Sequence, residues 1–106
     1  MPILEITERS ELDNITDENP ETLLVLDFYA TWCGPCKRVM PGFLAMAEDY
    51  KDIFFVKVDV DEADDLSEEY GIAATPTFIF VKSGETLQVY NGTDEDKIRS
   101  LIEELK

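Results

Sequence analysis

The chain has no histidine and only two cysteines, Cys33 and Cys36, among its 106 residues. A closed zinc site within one chain needs four ligands, usually cysteine or histidine, so the composition argues against a bound metal. A site shared between two chains, or one that uses carboxylates, stays open. No nucleotide or flavin motif is present either, so we expect no cofactor. A purely structural disulfide closing so short a loop would remove little entropy from the unfolded chain, so it would stabilise the fold only weakly.

Basic residues and long apolar runs are also scarce. Nine lysines and arginines face 24 acidic residues, for a net charge of −15, which predicts no binding to nucleic acid or to anionic membranes. No apolar stretch approaches membrane-spanning length. The N-terminus lacks a basic start followed by an apolar segment, so we expect no signal peptide and a cytoplasmic protein. A mature form that had lost a transit peptide would look the same.

One acidic run, residues 59–65, superficially resembles a cluster of calcium ligands. It lacks the glycine and the spacing to a terminal glutamate that define a calcium loop. We interpret the run as the end of a strand, a turn and the acidic first turn of a helix, where negative charge favours the helix dipole.

Hydrophobic patterning predicts one globular domain over residues 1–106, with elements in the order β-α-β-α-β-α-β-β-α. The alternating units imply parallel strands with helices on both faces, and the closing hairpin adds antiparallel strands. The prediction is therefore an α/β fold with a central mixed five-stranded sheet and four helices. The predicted strands are 3–6, 22–29, 53–59, 77–82 and 86–90, and the predicted helices are 10–19, 33–49, 63–70 and one from about Thr93 to the C-terminus.

The helix predicted at 33–49 has an internal proline, Pro41, which should kink it. Its apolar stripe is predicted to consist of Cys36, Val39, Met40, Phe43, Leu44 and Ala47.

The two cysteines lie in the segment Trp32-Cys33-Gly34-Pro35-Cys36-Lys37, between a buried strand and this helix. A thiolate at a helix N-terminus is stabilised by unpaired amides and by the helix dipole, which favours redox chemistry. We expect Cys33 at the exposed first turn, as the nucleophile, and Cys36 deeper, as the resolving thiol. Gly34 allows close approach of a substrate backbone, and Pro35 suits an early helical position.

The segment from Asp27 to Lys37 closely resembles the active site of the thioredoxin family. Further matches follow in the family's order: Pro41, Lys57-Val58-Asp59-Val60-Asp61, Ala74-Thr75-Pro76-Thr77, Gly84 and Gly92. The resemblance spans essentially the whole chain. It implies the thioredoxin fold and a protein-disulfide reductase that maintains cell redox homeostasis by dithiol–disulfide exchange. Disulfide-containing proteins would be its substrates and a thioredoxin reductase its electron donor; we expect a monomer.

Asp27 falls on the family's buried aspartate, and Lys57 on the lysine that tempers its pKa. A lone carboxylate inside an apolar strand should have a raised pKa because burial disfavours its charged form, and it can then exchange a proton with Cys36. The alternative is an aspartate at the strand's end that is exposed to water, which the apolar neighbours Leu26 and Phe28 disfavour.

The resemblance also assigns a substrate surface. Pro76 falls on the family's cis-proline, which would place the Thr75 backbone beside the cysteines to bond an extended substrate. Trp32, Ala74, Thr75 and Gly92 would form the apolar contact surface around Cys33. The residues alone leave open an ordinary trans proline and a core tryptophan. Tyr29 stands where many bacterial members carry tryptophan, from which we expect only local changes in packing.

Two other functions stay open. An oxidase or isomerase on the same fold usually has a histidine between its cysteines, whereas Gly34 and Pro35 are typical of reductants. A redox-gated binding subunit would keep its partner when both cysteines become serine.

Overall fold

The structure, a computed structural model, describes residues 3–106. Its elements are β1 (Leu4–Glu5), α1 (Arg9–Glu18), β2 (Leu24–Tyr29), α2 (Gly34–Asp49), β3 (Phe54–Asp59), α3 (Asp64–Glu69), β4 (Thr77–Lys82), β5 (Glu85–Asn91) and α4 (Glu95–Leu105). The predicted order is confirmed, with boundaries that differ by one or two residues. Residues 1 and 2 of the predicted domain lie outside the described part.

The five strands form one mixed sheet in the order β1-β3-β2-β4-β5. β3 pairs in parallel with both β1 and β2, and α2 is the crossover helix that joins β2 to β3. β4 pairs antiparallel with β2 and with its hairpin partner β5. Gly84, with a φ of 79°, supplies the left-handed conformation in the hairpin turn after Ser83. The predicted mixed sheet is confirmed.

Helices cover both faces of the sheet, so β2 is buried on both sides, as its continuous apolar sequence predicts. Alternate residues of a strand point to opposite faces. Leu24, Leu26 and Phe28 of β2 pack with residues of α1 and α3. Leu23 and Val25 pack with residues of α2 and α4 on the opposite face. Asp27 follows the second set and therefore lies on the face that α2 covers.

The predicted apolar stripe of α2 is wrong at one position. Leu44 is 48% exposed, and Met46 is fully buried in its place. The buried set of Val39, Phe43, Met46 and Ala47 follows the 3.6-residue repeat, whereas Leu44 lies roughly 140° around the helix from Val39. Pro41 lies inside α2, which continues as one α-helix from Gly34 to Asp49. Among residues 3–106 no helix has the length and apolar character needed to span a membrane.

Candidate active site

The two cysteines lie where β2 gives way to α2, and they form a disulfide. Cys33 is the N-cap of α2, with Pro35 in the first turn. The backbone N–H of Cys36 donates to Cys33 Sγ over 3.2 Å. Such an amide would stabilise a thiolate on Cys33 after reduction, together with the positive end of the helix dipole.

The expectation that Cys33 lies exposed is wrong. Its side chain is only 5% exposed, against 2% for Cys36. Both sulfur atoms pack against buried Ala30, and Cys33 Sγ lies 3.6 Å from the carbonyl oxygen of Thr75. The loop that precedes β4 therefore covers part of the disulfide.

The loop before β4 is held by hydrogen bonds that fix the backbone at Thr75. The Thr75–Pro76 peptide bond is cis. The Thr77 hydroxyl donates to the carbonyl of Ala74 over 2.6 Å, and the Asn91 side-chain amide donates to the carbonyl of Pro76 over 2.8 Å. Together these bonds anchor the residues on either side of the Thr75 carbonyl that faces the disulfide.

A shallow apolar groove runs beside the disulfide. Trp32 forms one side and is 71% exposed, with its indole N–H donating to the Asp61 carboxylate over 2.9 Å. The groove is lined by Trp32, Val60, Ile72, Ala73, Ala74 and Thr75. Three of the four predicted contact residues thus line one groove.

Gly92, the fourth predicted contact residue, does not line this groove among the residues described. It follows β5, and a Cβ at this position would come within 2.5 Å of the Tyr90 hydroxyl oxygen. Glycine is therefore required there for close packing against Tyr90 rather than by any contact within the groove.

Asp27 is fully buried in the middle of β2. Neither carboxylate oxygen has a hydrogen-bonding partner among the described residues. Burial raises the pKa of Asp27 to about 7, and the positive charge of Lys57 partly opposes this rise. A buried carboxyl that is half-ionised near neutral pH is suited to accept and return a proton.

Lys57 is the cross-strand partner of Asp27 and, on its other side, of Glu5. Its ammonium nitrogen lies 4.0 Å from Glu5 Oε1 and 5.5 Å from the centre of the Tyr29 ring. The Tyr29 hydroxyl donates to Glu5 Oε2. Burial, followed by this hydrogen bond to Glu5, raises the pKa of Tyr29. Lys57 thus pairs with Glu5 while Asp27 is left without a hydrogen bond.

A pocket of about 290 Å³ opens on the buried side of the cysteine pair. It is lined by Tyr29, Ala30, Thr31, Cys36, Lys37, Met40 and Lys57. Cys36 is thus one of the residues that line this pocket, although it is only 2% exposed. Within the described part of the chain, no group of three or more cysteine or acidic side chains is arranged to hold a metal ion.

Sequence reasoning missed three residues that hold the site: Asp61, Asn91 and Glu5. Asp61 lies within one of the segments that match the family, yet its bond to Trp32 depends on where two distant loops meet. Asn91 and Glu5 act through cross-strand neighbours, and no local pattern in the sequence reveals strand register.

Comparisons with known proteins agree with this geometry. The family model described as thioredoxin matches residues 3–104. The chain is 44% identical to thioredoxin-1 of Caenorhabditis elegans over 94 residues, covering 89% of this chain and 82% of that protein. It is 41% identical to thioredoxin of Geodia cydonium, covering 92% and 93%.

Solved structures extend the agreement to the whole fold. The chain superposes on thioredoxin of Fasciola hepatica with a TM-score of 0.95 at 35% identity, covering 98% of this chain and 100% of that one. On the basis of this match and its Cys33–Cys36 disulfide, the chain belongs to the thioredoxin family, and it is a protein-disulfide oxidoreductase that reduces disulfides of protein substrates by dithiol–disulfide exchange.

Proposed function

We propose that Cys33 is the nucleophile and Cys36 the resolving thiol of this reductase. The observation that carries the assignment is the Cys36 N–H directed at Cys33 Sγ on the N-cap of α2. This arrangement stabilises a thiolate on Cys33, and Cys33 is the more exposed of the two. Gly34 and Pro35 tune the pair through the geometry of the first helical turn.

The reaction then proceeds in two exchanges that balance electrons and protons. The Cys33 thiolate attacks one sulfur of a substrate disulfide, forming a mixed disulfide and releasing the other sulfur as a thiolate. Cys36 loses its proton and attacks Cys33 Sγ, which closes the Cys33–Cys36 disulfide and releases the second substrate thiolate. Two electrons pass to the substrate, whose two thiolates take up two protons, one released by Cys36 and one from the solvent that received the proton of Cys33.

We propose Asp27 as the group that exchanges the proton with Cys36. Asp27 lies on the sheet face covered by α2, whose first turn carries Cys36. Its pKa of about 7 lets it act as base in one direction and acid in the other. Lys57, its cross-strand partner, keeps that pKa from rising further.

Substrates are proposed to bind along the groove between Trp32 and the loop at 73–75. An extended segment there would meet the backbone of Thr75 beside Cys33, with Pro76 holding that backbone in place. Trp32 and Ala74 would complete the contact surface around the disulfide. Trp32 is held by Asp61 and so presents its ring without having to reorganise.

The electron donor is proposed to be a thioredoxin reductase, since the chain itself has no nucleotide or flavin motif. The protein would act as a single-domain monomer in the cytoplasm, as an electron carrier in redox homeostasis. The experiment that tests the reductase assignment is the equilibrium reduction potential of the Cys33–Cys36 pair, followed by the fluorescence of Trp32. A value near roughly −270 mV, already known for thioredoxin, supports a reductant, whereas about −180 to −120 mV indicates an isomerase or oxidase.

Replacing Pro35 with histidine is expected to raise that potential. An imidazolium in the first turn would stabilise the Cys33 thiolate and therefore the reduced form. The shift should be tens of millivolts, where about 30 mV is a tenfold change in the equilibrium constant. Pro35→Ala is the matched control, because it removes the ring without adding a charge. Equal potentials for the histidine and alanine variants would refute this account of tuning.

A further inference from the structure

Glu5, Lys57 and Asp27 form one row across three parallel strands. The register pairs Glu5 with Lys57 between β1 and β3, and Asp27 with Lys57 between β2 and β3. The middle position is the only cation of the three, and it is flanked by two carboxylates. Lys57 is therefore placed to pair either with the exposed carboxylate of Glu5 or with the buried carboxyl of Asp27.

In the structure, Lys57 pairs with Glu5. The Lys57 ammonium lies 4.0 Å from Glu5 and over the Tyr29 ring, while neither oxygen of Asp27 has a hydrogen bond within residues 3–106. The Tyr29 hydroxyl donates to the other oxygen of Glu5 and so fixes that carboxylate in position. The ring and the hydroxyl of Tyr29 thus act on Lys57 and Glu5 together.

We propose that Glu5 and Tyr29 are positioning residues that hold Lys57 away from Asp27 and thereby keep the buried carboxyl protonated at physiological pH for a larger fraction of the time. Glu5 competes for the cation by charge. Tyr29 orients Glu5 through its hydroxyl and holds the ammonium by a cation–π contact. Neither residue touches the cysteines, so each acts on the reaction only through Lys57 and Asp27.

Other charged groups around Asp27 do not offer the same control. From β3, Asp59 is largely buried beside Tyr29 and is bonded to the backbone of Asp61. From α2, Lys37 lines the pocket beside Cys36 but is exposed. β4 presents Phe78 opposite Asp27, and the buried residues of α4 are apolar. Glu5 is thus the carboxylate paired with Lys57 among the described residues around Asp27.

The significance for catalysis rests on the proposed role of Asp27 in exchanging a proton with Cys36. The proposed positioning of Lys57 does not depend on that role, because the pKa of Asp27 is measurable in the oxidised protein, where neither cysteine titrates. The experiment is a ¹³C NMR titration of aspartate carboxyl carbons in the oxidised protein, with the Asp27 resonance assigned from Asp27→Asn.

In Glu5→Gln we expect the pKa of Asp27 to fall by about one pH unit, because a cation released toward a carboxylate within a few ångströms lowers its pKa by that order. Tyr29→Phe should lower it by a smaller amount in the same direction. Glu21→Gln is the charge-matched control: it also removes one negative charge, from an exposed loop, and should leave Asp27 unchanged.

A double-mutant cycle separates positioning from the field of Glu5 itself. With Lys57→Met as background, adding Glu5→Gln should leave the pKa of Asp27 unchanged. An equal fall in that background, or no difference between Glu5→Gln and Glu21→Gln, would overturn the proposal. Failure of the proposed role of Asp27 would show separately, as an exchange rate that does not respond to Asp27→Ala.

Discussion

Replacing Cys36 with serine is expected to end turnover after a single exchange and to leave substrates attached to Cys33. The first exchange needs only the Cys33 thiolate, which retains the α2 N-terminus and the backbone N–H of residue 36. The second needs a thiol at position 36, and a serine hydroxyl is not acidic enough to replace it. The mixed disulfide therefore accumulates.

Two measurements check this expectation. With a peptide containing one disulfide in excess, the purified variant should release one thiol per protein molecule and then stop. In a lysate, it should form adducts that survive non-reducing electrophoresis and disappear on adding a reductant. Cys33→Ser and the double serine variant are the controls, and neither should form such adducts.

Trapping by Cys33→Ser in place of Cys36→Ser would reverse the two roles. The structure argues against that outcome, because Cys36 is the deeper of the two and it is Cys33 that lies against the carbonyl of Thr75, a residue of the groove. Because Cys36 lines a pocket of its own, we expect a small disulfide to react with Cys36 more readily than a protein disulfide does. A protein substrate should discriminate more strongly between the two variants than a small disulfide does.

The sequence predicts those features that depend on neighbours along the chain. Apolar runs, turn glycines and the 3.6-residue repeat are local, and they give all nine elements in the right order. The Cys33–Cys36 pair is local as well, because a helix begins directly after Cys33. Leu44 and Met46 show the limit of such patterns: both are apolar, and only the direction of the packed face decides which one is buried.

What the sequence does not predict depends on contacts between distant segments. Cys33 is covered because the loop at 73–75 packs on it from more than forty residues away, so its exposure cannot be inferred from its place on α2. The pairing of Lys57 with Glu5 depends on strand register. A shift of one residue would place the two side chains on opposite faces of the sheet. Local motifs therefore determine the chemistry of the site, whereas long-range packing determines its accessibility and its charge balance.

Replacing Asp27 with alanine is expected to stabilise the protein at alkaline pH. Burial without hydrogen bonds raises the pKa of Asp27 to about 7 in the folded state, against 3.8 for an unperturbed aspartate. Between these two values the folded state binds more protons than the unfolded state, so this group makes stability fall as pH rises. Above pH 7 the ionised carboxyl destabilises the fold by about 4 kcal/mol as an upper figure.

The difference in unfolding free energy between the alanine variant and the parent should therefore depend on pH. It should be smallest near pH 4, where the folded parent is protonated at this residue and the unfolded parent is only partly ionised, and rise through pH 7 to a plateau of a few kcal/mol. Urea denaturation of both oxidised proteins from pH 4 to 8.5 measures it, and the other acidic groups cancel because they are common to both. Asp17→Ala, at an exposed position on α1, is the control for removing an aspartate from the surface.

The same variant should lose activity where it gains stability. General acid–base catalysis typically contributes about 10²–10⁴-fold, and water entering the pocket beside Cys36 replaces part of it, so we expect disulfide exchange to slow by about tenfold near pH 7. The loss should shrink at higher pH, where Cys36 ionises without a base. A difference in stability that stays flat across pH would mean that Asp27 ionises as an ordinary surface carboxylate. Asp27 would then be unable to exchange a proton with Cys36 near neutrality, and the slower exchange would need another cause.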